Sequence, residues 1–362
     1  MNNTRNKVDG ECFTESEKFR NNLTEEKLLL LTEGHAAFQC LWADIELGLY
    51  KLISAQPGLT RSQIAAALHM QERPVRVLVT ALVSLGVLIN DSDTFSMSPM
   101  ADRRLVEGRP GYLGDTMAWQ RHIVYPGLED FAGALRAYSN TGLEKFPGEG
   151  NSLYARLRSD PFKENVFARA MEGLSQQANR ILIEAYDFGR FRHLVDVGGG
   201  NATNALAFVN RFPELKATVM DLPSVCGLAT KNIEEKGMQH RVGTHPGNLL
   251  DDPFPQGADL FLLSHLLSIW AEETDRRLMR KAFDALPRGG ALALFGMAMD
   301  ADERGPISTA LGNPYFLAIA TGNGFLYSVK DYEVWLRDTG FGPLHTTTDL
   351  PLDHILIVAE KE

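Results

Sequence analysis

Apolar residues recur at three- and four-residue spacing between Leu28 and Leu52, through Phe38, Leu41, Ile45 and Leu49, which predicts a helical stretch. Gly58-Leu59-Thr60 then precedes RSQIAAALHM, with Thr60 placed to cap a helix. RPVRVLVTALVSLGVL predicts a second helix with Pro74 near its first turn, and INDSDTFSMSP a hairpin tip and strand. Helix, turn, helix, hairpin is a winged-helix pattern. From 105 to 190 the pattern stays mainly helical, punctuated by Pro110-Gly111, Pro126-Gly127 and Pro147-Gly148, and Asp160-Pro161 to Tyr186 predicts one long helix. Beyond His193 the period changes. Short apolar runs at Leu194–Val197, Leu215–Met220, VGTHP, ADLFLLS, ALALFGMAMD and HILIVAEK alternate with helical segments such as TDRRLMRKAFDAL and SVKDYEVWLRDTGF. That alternation predicts an α/β fold with a doubly wound, mostly parallel sheet.

The chemistry concentrates between His193 and Val225. A strand holding Asp196 runs into Gly198, Gly199 and Gly200, a helix follows, and the next strand ends in Asp221. Glycines let a backbone approach a ligand where a Cβ would collide. An acid ending the second strand can accept hydrogen bonds from two ribose hydroxyls. A dinucleotide fingerprint needs glycine at a third position, where Thr203 stands instead. Asp196 would also sit badly beside a pyrophosphate, whereas an anion there suits a cationic ligand such as a sulfonium or its amino group.

Composition narrows the partners. The chain has 362 residues, 44% apolar and 23% charged, enough for two domains with sizeable cores. A formal charge of −10 argues against nucleic acid or an anionic membrane as the main partner. Across the winged-helix pattern, Arg61, Arg73, Arg76, Arg103 and Arg104 are nearly balanced by Glu72, Asp91, Asp93 and Asp102, which is not a DNA-reading surface. Cys12, Cys40 and Cys226 have no metal or disulfide spacing, which fits a reducing, cytoplasmic setting. No apolar run approaches the roughly 18–20 residues of a membrane span, and no signal peptide is visible. The histidines offer no clear ligand set, so no metal is expected.

D-V-G-G-G-x-A followed by V-M-D-L-P resembles the first motif and its sequel in class I S-adenosylmethionine-dependent methyltransferases. More narrowly, the chain resembles the two-domain small-molecule O-methyltransferases typified by caffeate and antibiotic O-methyltransferases, over nearly all residues after 25. The resemblance implies a Rossmann-like methyltransferase sheet behind an N-terminal winged helix that serves homodimerisation. It divides the chain into a loose N-terminus (1–24), a winged-helix dimerisation domain (25–110), a helical linker and acceptor-pocket region (111–188) and a donor-binding domain (189–362). It implies S-adenosylmethionine held by Asp196, Gly198, Gly199, Gly200, Asp221, Leu222, Asn248, Leu249 and Ser264. It further implies a small-molecule acceptor walled by Trp119, His122, Tyr125, Ser268, Tyr315 and Phe316. Two positions depart from the family. Gly247-Asn248-Leu249-Leu250 has asparagine where the family has an acid that reads the adenine amino group. Anchored on Trp270, the family's catalytic histidine falls on Ser268.

Serine has no suitable pKa to act as general base on a phenol. His265, three residues earlier at a strand end, is therefore the candidate catalytic group. Loss of the usual histidine shifts weight towards acceptors needing little help: amine or ring nitrogens, thioether sulfurs, enolate carbons and acidic hydroxyls. A non-catalytic dimer that binds a small molecule is the alternative, although Asp196, the three glycines and Asp221 are all retained.

Overall fold

A computed structural model describes residues 23–362 and, ahead of them, a short antiparallel pairing of β1 (Lys7–Val8) with β2 (Glu11–Cys12). The rest of the N-terminus expected to be loose lies outside the described residues. The chain divides into two compact units, residues 1–123 with 166–173, and residues 124–165 with 174–362.

In the first unit, the stretch expected to be helical over Leu28–Leu52 is three helices, Glu25–Thr32, Gly34–Leu47 and Leu49–Ala55. The second break falls at Gly48, whose φ of 73° ends one helix in the left-handed conformation that glycine adopts without strain. Short strand β3 (Leu59–Thr60) leads into helix Arg61–Ala67. Its capping box is complete, with Thr60 accepting from the Gln63 backbone and Gln63 reaching back to Thr60. Helix Glu72–Ser84 buries Val75, Leu78, Val79 and Leu82, one face at i, i+3, i+4 and i+7. Strands β4 (Leu88–Asp91) and β5 (Thr94–Met97) form the hairpin, and β3 joins it to make a three-stranded sheet. Leu49, Tyr50, Ile53, Ile64, Phe95 and the buried helix face make one core.

The second unit carries a seven-stranded sheet. Its strands are β6 (His193–Val197), β7 (Lys216–Asp221), β8 (Val242–Pro246), β9 (Leu260–Ser264), β10 (Ala291–Met297), β11 (Leu344–Leu350) and β12 (His354–Glu360). The order is β11-β12-β10-β9-β6-β7-β8, parallel except that β12 runs antiparallel to both neighbours. Leu260 and Leu262 of β9 enter one core while Phe261 and Leu263 enter the other. Burial on both faces is why the parallel strands read as unbroken apolar runs. Strand β11 was not foreseen: LHTTTDL is mostly polar and lies at a sheet edge, so it carries no apolar run.

From β6 the chain builds outward first through β7 and β8, then returns to add β9 and β10 on the other side. The reversal between β6 and β9 is a topological switch point, and open α/β sheets bind ligands outside the carboxyl ends of strands there. Among the described residues, no helix is long and apolar enough to cross a membrane.

Candidate functional site

The carboxyl ends of β6, β7, β8 and β9 collect nine of the predicted donor residues, Asp196, Gly198, Gly199, Gly200, Asp221, Leu222, Asn248, Leu249 and Ser264, with His265 and Ser268 just beyond. Gly198 and Gly200 have φ of 69° and 57°, so the turn after β6 uses backbone open to glycine. A Cβ on Gly198 would lie 2.7 Å from Leu266 and one on Gly199 2.5 Å from the Asp196 carboxylate, which binds the turn to both flanking elements.

Asp221 ends β7 and fastens the same turn. One carboxylate oxygen accepts from the Gly200 N–H at 3.0 Å, the other from the Leu222 N–H at 2.7 Å. Each oxygen keeps a second lone pair, enough for two hydroxyls of one ribose. Burial raises its pKa, opposed by those two N–H groups. Asp196 is fully buried beneath the glycine turn, and neither oxygen has a partner at hydrogen-bond geometry. Burial pushes its carboxyl up to about 7, against the opposing influence of nearby Asn204. A buried acid with no cation beside it, beneath a turn that opens on the strand ends, fits a cationic ligand and not a pyrophosphate. The residues present therefore fit a nucleoside carrying a positive charge.

Asn248 is busy locally. Its side-chain oxygen accepts from the Leu250 N–H at 3.0 Å and its amide donates to Asp251 at 2.6 Å. The free lone pair on that oxygen remains for an adenine amino group. Leu249 is anchored through its carbonyl, which accepts from Lys281.

Ser268 is buried in the turn Leu267–Ile269, and Gly324 lies so close that a Cβ there would be 2.4 Å from the Ser268 carbonyl oxygen. His265 has a φ of 52°, held by its N–H to the Phe295 carbonyl at 2.8 Å. Both its ring nitrogens are taken up inside the chain: Nδ1 lies 3.1 Å from Ser264 Oγ and Nε2 lies 2.7 Å from Nε2 of His354. Burial, and then His354, lower its pKa to about 3. A base so weak, with both nitrogens engaged, departs from the proton-abstracting histidine expected from position alone. His354 was missed because a polar residue opening the apolar run HILIVAE gives no hint that β12 inserts antiparallel beside β10.

Of the predicted acceptor residues, Tyr125, Tyr315 and Phe316 belong to this unit, whereas Trp119 and His122 belong to the first, where His122 meets Trp42 edge-on at 5.4 Å. Tyr315 is buried with its ring 5.2 Å from Phe316, and Tyr125 is exposed. Two π turns carry two of these residues, Gln120–Val124 with His122 and Phe316–Ala320 with Phe316. Such turns are rare and concentrate at functional sites.

The O-methyltransferase domain family matches residues 134–342 and the O-methyltransferase dimerisation domain family matches residues 29–107. The chain is 34% identical over 342 residues to L-tyrosine C(3)-methyltransferase of Streptomyces lavendulae, covering 94% of this chain and 93% of that one. It is 31% identical over 316 residues to 3-hydroxy-5-methyl-1-naphthoate 3-O-methyltransferase of Streptomyces sahachiroi, covering 87% and 89%. Among solved structures, the apo form of the S-adenosylmethionine-dependent methyltransferase SibL superposes with a TM-score of 0.83 at 33% identity, covering 92% of this chain and 98% of that one.

Proposed function

The chain belongs to the O-methyltransferase family, catalytic and dimerisation domains both, and from that premise we propose that it methylates a small molecule at an atom needing no histidine base. S-adenosylmethionine is the donor, and its sulfonium supplies a methyl group already activated by positive charge. Asn248 at the end of β8 takes the adenine, Asp221 at the end of β7 the ribose, and the glycine turn over Asp196 the sulfonium, with Leu222, Leu249 and Ser264 completing the cradle. The observation that carries this reading is the Asp221 carboxylate, held by two backbone N–H groups with a lone pair spare on each oxygen.

The acceptor follows from what the strand ends lack. Ser268 cannot abstract a proton at neutral pH, and both nitrogens of His265 are engaged. Holding the acceptor in line then does most of the work, since proximity and orientation can remove about 7–11 kcal/mol of a barrier in the best cases. We assign Tyr125, Tyr315 and Phe316 of the second unit to holding it, and His265 to positioning. Nitrogen, sulfur, enolate-carbon and acidic-hydroxyl acceptors remain in the set. Similarity to an L-tyrosine C(3)-methyltransferase favours the carbon beside a phenolic hydroxyl, which is the carbon end of an enol. The ring carbon would take the methyl group with S-adenosylhomocysteine as leaving group, and the hydrogen on that carbon then departs as a proton to water, which restores the aromatic phenol.

The first unit is read as a winged helix used for homodimerisation. Helix Glu25–Thr32 has no buried residue, and Leu28, Leu29, Leu30 and Leu31 are all exposed, an apolar surface that a second copy would cover. The setting is cytoplasmic on cysteine usage. Mass spectrometry with isotopically labelled donor and a panel of phenols, amines, thioethers and keto acids tests the activity. One added methyl, located by NMR, supports it, and a chain that binds no donor overturns it.

A further inference from the structure

Ser264, His265 and His354 form a chain of hydrogen bonds whose direction is set at its far end. His354 Nδ1 lies 2.8 Å from the Leu352 carbonyl, which can only accept, so Nδ1 carries the proton. In a neutral ring the Nε2 of His354 is then an acceptor, and at 2.7 Å the Nε2 of His265 must donate to it. That leaves His265 Nδ1 as an acceptor, so the Ser264 hydroxyl donates to it at 3.1 Å. Neutrality holds because burial lowers the pKa of both rings. The serine oxygen is left with only lone pairs for any further partner. Phe295 fixes the geometry from a third strand, with its ring 5.4 Å from His265 and 4.9 Å from His354.

We infer that His354 is a positioning residue which, through His265, makes Ser264 an obligate hydrogen-bond acceptor for the ammonium group at the amino-acid end of the methyl donor. This rests on the donor reading above. The argument is the order of strand ends, β8, β7, β6, β9. A linear ligand with its adenine at Asn248 and its ribose at Asp221 passes the glycine turn and brings its amino-acid end to Ser264. Of that end's groups, the ammonium alone is an obligate N–H donor. A serine free to rotate could offer it either a proton or a lone pair, and the histidine pair removes the wrong choice. Neither histidine needs to touch the ligand.

Titration calorimetry with S-adenosylhomocysteine, which carries the ammonium, and 5′-methylthioadenosine, which lacks it, tests the inference. His354→Leu frees His265 to hold its proton on Nδ1 and donate to Ser264. It should weaken S-adenosylhomocysteine about tenfold, the scale of one charge-assisted hydrogen bond, and leave 5′-methylthioadenosine within twofold. His354→Gln, which can accept from His265 through its side-chain oxygen, should restore affinity. Adding His354→Leu to Ser264→Ala should cost nothing further, because the relay acts through that hydroxyl. In the wild-type chain, nitrogen NMR should find His265 protonated at Nε2 and His354 at Nδ1, a measurement independent of whether the variants fold. Reversed tautomers, an additive double variant, or unchanged S-adenosylhomocysteine affinity in His354→Leu would each overturn the relay alone. A wild-type chain that binds neither nucleoside overturns the donor reading beneath it.

Discussion

Asp221→Asn separates the two jobs of one carboxylate. In the wild-type chain both oxygens accept from backbone N–H groups, Gly200 at 3.0 Å and Leu222 at 2.7 Å. Asparagine keeps one acceptor oxygen and presents an NH₂ group at the other site, so one N–H faces an N–H. The half-buried position and the carboxyl's own raised pKa limit the cost to the fold. Removing the charge also removes its burial penalty, so the net loss of stability should stay under about 2 kcal/mol. Donor binding suffers more. One ribose hydroxyl loses its acceptor and the other meets a neutral amide in place of a carboxylate. Two charge-assisted bonds lost or weakened amount to about 2–4 kcal/mol, or roughly 30- to 1,000-fold in Kd. Titration calorimetry with S-adenosylmethionine gives the affinity, and thermal unfolding without ligand gives the stability. An affinity within twofold of wild type, in a folded variant, would falsify the ribose assignment. A large fall in stability with unchanged affinity would assign Asp221 to the turn alone.

Other expectations rest on separate groups. Ser268→Ala should leave turnover within about tenfold, a barrier change under roughly 1.4 kcal/mol, and a dead but folded variant that still binds donor would return the base to that position. With His265 held near 3, its titration should not appear in a turnover profile, and a fall centred near pH 6.5 that vanishes in His265→Gln would show it acting as base. Sedimentation at micromolar concentration should give a dimer, and a species near 40.1 kDa would count against the first unit's role. Asp275 is fully buried and burial pushes its carboxyl up to about 9. The fold therefore keeps a proton that the unfolded chain releases above about pH 4, and stability drains away as pH rises from about 4 towards 9. Asp275→Asn has no proton to lose, so its melting temperature relative to wild type should climb across that window, and parallel curves would show the carboxyl stays ionised.

Local rules carried the sequence a long way. Unbroken apolar runs and period-3.6 apolar patterns mark their elements wherever the chain buries both faces or one, as in β9 and helix Glu72–Ser84, because burial leaves its signature residue by residue. The glycines before Asp221, and Ser268 in place of a histidine, could be seen for the same reason, since each motif lies within one short stretch. Strand β11 escaped because its partner supplies the pairing and its own polar residues supply no pattern. The helical stretch from Leu28 hid its breaks, one of them a left-handed turn at Gly48, because spacing continues across a turn that redirects the backbone. His265 shows the division most sharply. Its place at a strand end was legible, and from that alone it is a candidate base. Only the fold brings His354, 89 residues away, to 2.7 Å, because β12 runs antiparallel beside β10 and sets its first residue against the end of β9. Proton affinity and hydrogen-bond direction depend on burial and on partners remote in sequence, so the residue's identity was written in the chain while its chemistry was decided by tertiary structure.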